Sequence, residues 1–121
     1  MKFISAEEFL NQPKEVQKVF LDYFKGKEGI YFNGIGTIKG YGKLFTNLGI
    51  IPALTEGQLR EFIEDKTGQI VNLDYICKEC GYAVVLTEGG KHSKPFIDLG
   101  EDVLQAYWKV AIEIAKRETR R

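Results

Sequence analysis

Several absences bound this chain before any motif is read. No apolar run approaches the roughly 20 residues that a membrane-spanning helix needs, which excludes a span of that kind. Residues 1–9 carry one lysine, two glutamates and no long apolar stretch, so they do not read as a secretory signal. Two cysteines without such a signal point to a reducing, cytoplasmic setting in which a structural disulfide is not expected. Charge of one sign is also lacking, because 17 basic residues balance 17 acidic ones. A protein held on nucleic acid by phosphate neutralisation ordinarily carries a basic excess, so nucleic acid is the less favoured partner. There is a single histidine, and no internal repeat, low-complexity tract or interdomain linker interrupts the chain.

What is present is ordinary for a folded domain. A hydrophobic content of 44% with 28% charge argues against disorder. At 121 residues the expectation is one globular domain, residues 1–121, able to bury roughly two thirds of its unfolded surface without staples.

Three capping signals organise the helices. Ser5-Ala6-Glu7-Glu8 is a capping box, with Ile4 and Phe9 as its hydrophobic staple, so a short helix starts at Ala6. Pro13 disfavours helix at Gln12 and suits the first turn of a second helix that runs to about Phe24, before Gly26. Thr55-Glu56-Gly57-Gln58, stapled by Leu54 and Leu59, opens a central helix that ends near Lys66 and is closed by Gly68. The longest periodic stretch is residues 98–117, with Asp98 as the expected N-cap and Glu101 at the third helical position. Its apolar arc spans about 200°, roughly twice what one buried face needs. The surplus assigns Tyr107, Trp108 and Ile112 to an interface and is compatible with a homo-oligomer.

Glycines at 26, 29, 34, 36, 40, 42 and 49 disfavour helix over the second quarter of the chain. Strands are expected at Ile30 to Phe32 and Thr37 to Tyr41, followed by a loop ending at Pro52. Gln69 to Ile76 alternates Val71, Leu73 and Tyr75 against Asn72 and Asp74, as a half-buried strand does. Tyr82 to Thr87 is the next strand, and a third ends near Ile97. The fold class is therefore α+β: an antiparallel sheet, made of a three-stranded meander plus a glycine-rich hairpin, packed on N-terminal, central and C-terminal helices.

Three places could carry chemistry. Residues 36–42 have a G-x-x-x-G-x-G spacing, but Lys43 to Gly49 is too short to be the phosphate-holding helix of a dinucleotide fold. Exposed amides there, with Lys39, Tyr41 and Lys43, could still cradle a small anion, and Lys91 and His92 are the residues that would join them. Cys77-Lys78-Glu79-Cys80-Gly81 has the spacing of half a zinc ribbon, and it also reads as plain turn residues or a redox pair. One chain offers only His92 or carboxylates to complete a metal site, whereas a symmetric dimer would supply four thiolates. His92 lacks an orienting carboxylate and a matched nucleophile. No catalytic residue, resident metal or cofactor is assigned.

Three segments resemble a group of short proteins encoded by phages and prophages of Gram-positive bacteria. They are Ala6 to Leu10 continuing through Glu15 to Leu21, then Leu54 to Asp65, then Leu104 to Ala111. The resemblance carries no activity, but it implies a phage accessory gene acting in the host cytoplasm. With no catalytic constellation in the sequence, the expected function is non-enzymatic binding, either of a host or phage protein or of a small nucleotide signal in host defence. The alternatives are a nucleic-acid binder, and a small metal-dependent enzyme or metal-stabilised dimer built on Cys77 and Cys80.

Overall fold

The computed structural model describes residues 2–25, 27–32, 37–41 and 51–120. It is an α+β structure with two small antiparallel sheets, each of three strands. Its contacts cluster in two compact units, one of Phe3–Thr55 with Ala115–Arg121, the other of Lys2 with Glu56–Ile114.

In the first unit, helix α1 (Ala6–Leu10) opens as the capping box requires. The Glu8 amide donates to Ser5 Oγ at 3.1 Å, and the Ser5 amide donates to Glu8 Oε1 at 3.2 Å. Both staple residues, Ile4 and Phe9, are buried. Helix α2 (Lys14–Phe24) follows Pro13, whose fixed φ suits the position before the first turn. The buried side chain of Gln17 donates to the carbonyls of Leu10 and Gln12 at 3.1 and 2.8 Å, which ties the two helices together at their turn. Strand β1 (Glu28–Phe32) is central in the sheet, between β2 (Thr37–Tyr41) and β3 (Ile51–Pro52). The expected loop thus ends in a two-residue strand pairing Phe32 with Ile51 and Tyr31 with Pro52. Proline is tolerated there because β3 lies at a sheet edge. Tyr31 is buried, and its hydroxyl donates to the Lys27 carbonyl at 3.1 Å and the Phe24 carbonyl at 3.4 Å, at the end of α2. Val16, Phe20, Phe24, Ala53 and Leu54 complete this unit's core.

In the second unit, helix α3 (Glu56–Thr67) buries Leu59, Phe62 and Ile63. Gly68, at φ +69, provides the left-handed stop. Strands β4 (Ile70–Cys77), β5 (Gly81–Glu88) and β6 (Lys91–His92) form the sheet in that order. Val71 pairs with Leu86 and Leu73 with Val84, so one face is apolar, while Asn72 and Asp74 are exposed on the other.

The third strand is much shorter than its sequence suggests. After His92 the chain follows β5 through separate bonds: Ser93 to Leu86, Phe96 to Val84 and Leu99 to Tyr82. Pro95 cannot donate to a ladder, and Asp98 adopts φ +57, so regular pairing cannot persist.

The last helix, α4 (Val103–Thr119), begins later than its capping pattern implied. Asp102 is the cap: its Oδ1 accepts from the Gln105 amide at 3.0 Å. Asp98, the expected cap, lies in the left-handed region, whereas a helix N-cap requires extended backbone. Tyr107 and Trp108, read from the sequence as interface residues, are each only 4% exposed, and Ile112 is intermediate. The wide arc of α4 is therefore covered within one chain and does not by itself require a second copy. Among the described residues no helix is long and apolar enough to cross a membrane.

Candidate functional site

The outer face of the β4-β5-β6 sheet carries a groove of about 480 Å³. Antiparallel register builds it, because Asn72 faces Val85 and Thr87 faces His92, which places all four side chains on one surface. Asp74 extends it along β4, and Ser93 and Pro95 close the far side.

Its polar groups divide into those already engaged and those left open. Asn72 Nδ2 donates to Thr87 Oγ1 at 3.0 Å and to the Val85 carbonyl at 3.2 Å. Ser93 Oγ accepts from the Leu86 amide at 3.3 Å. Asn72 Oδ1, the Asp74 carboxylate and the His92 ring have no partner among the described residues. No lysine or arginine is among the lining residues described. The groove thus offers acceptors and a carboxylate, and it suits a donor-rich or cationic group better than an anion.

A second constellation lies at the tip of the β4–β5 hairpin. The Cys80 amide donates to Cys77 Sγ at 3.3 Å, and the Cys77 thiol beside Cys80 pushes the Cys80 thiol above its usual range. Burial and the Asp98 carboxylate add to that rise. Gly81, at φ +71, leads out of the turn, and a Cβ there would overlap the Gly100 carbonyl. The Tyr82 amide donates to that same carbonyl at 2.8 Å. The exit of the turn is therefore held by backbone against the Gly100 carbonyl.

The residues singled out for anion binding are distributed as follows. Lys39 lies on β2, with Nζ 3.6 Å from Glu28 Oε1, and both side chains are largely exposed. Tyr41 ends the same strand, while Lys43 lies outside the described residues. Lys91 and His92 are consecutive in β6, so alternation sends them to opposite faces: His92 into the groove, Lys91 toward the side of Glu88. Asn72, Asp74 and Thr87 were legible only as a polar strand face, because their convergence with His92 depends on a register that no local pattern encodes.

No family model, curated protein or solved structure matches this chain.

Proposed function

We propose that this chain is a non-enzymatic binding protein of phage accessory type, acting in the host cytoplasm by occupying a host defence protein. The observation that carries the binding mode is the acceptor-lined groove on the outer sheet face, with Asp74 and Asn72 Oδ1 open and no cation among its described lining residues. Such a groove recognises an arginine or lysine side chain, since a guanidinium or ammonium supplies the donors it lacks. The phage setting rests on the resemblance of the three helical segments. The geometry favours a protein partner over a nucleotide signal, because Lys39 is paired with Glu28 and Lys91 leaves the groove face.

The test is an NMR titration of the full chain with an arginine-containing peptide and, separately, with a cyclic dinucleotide. The expected result is that the peptide shifts the amides of Asn72, Asp74, Thr87 and His92, and that Asp74→Lys abolishes the response. Shifts at those amides from the dinucleotide, unchanged in the Asp74→Lys variant, would overturn the assignment.

A further inference from the structure

We propose that Cys77 and Cys80 from two copies of this chain bind one zinc ion between them, across a contact formed by Tyr75, Ile76 and Ile97. The local geometry is that of a metal-binding knuckle. Two free thiols, both of intermediate burial, are presented from positions i and i+3 of a tight turn. A backbone amide already donates to one of them at 3.3 Å, the kind of bond that stabilises a thiolate. Gly81 makes the left-handed exit such a turn needs, fixed against Gly100.

Ligand counting then requires a partner. A structural zinc site takes four ligands, and among the described residues no third His, Cys, Asp or Glu joins the pair. Thiolates select zinc over the hard cations that prefer oxygen. A second copy supplies the two missing sulfurs by symmetry, with the same surface facing itself.

The surroundings fit that occupant. Five large hydrophobic side chains are markedly exposed among the described residues, and Tyr75, Ile76 and Ile97 are three of them. Tyr75 and Ile76 immediately precede Cys77, and Ile97 lies two residues before Leu99, whose amide donates to the Tyr82 carbonyl just past the turn. The zero net charge of the chain imposes no long-range repulsion between copies.

The experiment titrates the reduced, metal-free full chain with cobalt chloride under argon, following absorption and sedimentation together. The expected result is saturation at one cobalt per two chains, with thiolate charge-transfer and tetrahedral ligand-field bands. The sedimentation mass doubles from that of the 13.8 kDa chain. Cys77→Ser and Cys80→Ser each lose the bands and stay monomeric with unchanged far-ultraviolet circular dichroism. Ile97→Arg keeps both thiols and the fold but weakens cobalt-linked dimerisation by about tenfold or more. Saturation at one cobalt per monomeric chain, no thiolate band, or a metal-free dimer that survives replacement of both cysteines would each overturn the proposal.

Discussion

The two ends of strand β4 are treated differently. At Val71 the outward edge is closed: the amide donates to Glu64 Oε2 at 2.9 Å, and the carbonyl accepts from Arg60 Nη2 at 3.4 Å. Both groups come from α3, one strand residue is thereby satisfied in both directions, and Val71 is buried. At Tyr75 the same edge has no partner among the described residues. Leu73 and Tyr75 share the outward parity of Val71, yet no described residue bonds their outward groups, and the register shifts between Tyr75 and Cys77. A sheet edge is a template for another chain unless it is covered or charged. The covered end is fastened to α3, and the other end leads into the Cys77–Cys80 turn, where the proposed contact between copies lies.

Substitutions can break or sharpen that contrast. The largest effect is expected for Gly81→Val, which places a branched side chain at positive φ and against the Gly100 carbonyl. The loss is about 3–4 kcal/mol, read from chemical denaturation, because left-handed strain and overpacking add. At the closed end, Glu64→Ala strands the Val71 amide and costs about 1–2 kcal/mol. Tyr75→Ala at the other end changes the monomer by within about 0.5 kcal/mol, since its side chain is half exposed. Equal losses at Glu64 and Tyr75 would erase the distinction.

The loop that flanks the Tyr75 end gives a smaller pair of effects. Asp102→Ala removes the real cap of α4 and costs about 1 kcal/mol in the same assay. Asp98→Gly relieves a positive φ and is neutral or stabilising by up to about 1 kcal/mol, the reverse of what removing an N-cap would do. Smallest is the alkaline response. Burial raises the Tyr31 hydroxyl above its usual 10.0, and burial is likewise the largest cause of the rise at Tyr107. The unfolded chain therefore loses these protons first. Their contribution to stability is present below pH 10.0 and falls as pH rises through that value. Denaturation midpoints measured from about pH 8 to about pH 11 check the sign, and Tyr31→Phe should flatten part of the decline.

How much of this was legible without coordinates follows the range of the signals. Ser5 and Glu8 are three residues apart, so their box could be read and is realised bond for bond. The two strands expected in the glycine-rich segment pair with each other, Ile30 facing Lys39, a register that glycine density alone does not specify. The error at α4 came from two acidic residues, Asp98 and Asp102, competing for one role. Only the backbone, with Asp98 held beside the Cys77–Cys80 turn, decides between them. The sequence suggests a continuous third strand, and Phe96 does bond Val84, but Pro95 and the positive φ of Asp98 prevent an unbroken ladder. The groove was invisible for a different reason. Asn72, Thr87 and His92 are separated in sequence, and they meet only through a register set by the opposite, apolar face.

The central claim, that β4 is closed at one end and open at the other, is tested most directly by amide hydrogen exchange in the reduced, metal-free chain. The account predicts that the Val71 amide exchanges slowly and loses that protection in Glu64→Ala. The outward amides of Leu73 and Tyr75 should exchange fast in both proteins. Slow exchange at Leu73 and Tyr75 in metal-free, monomeric protein, or a Val71 amide indifferent to the loss of Glu64, would contradict it.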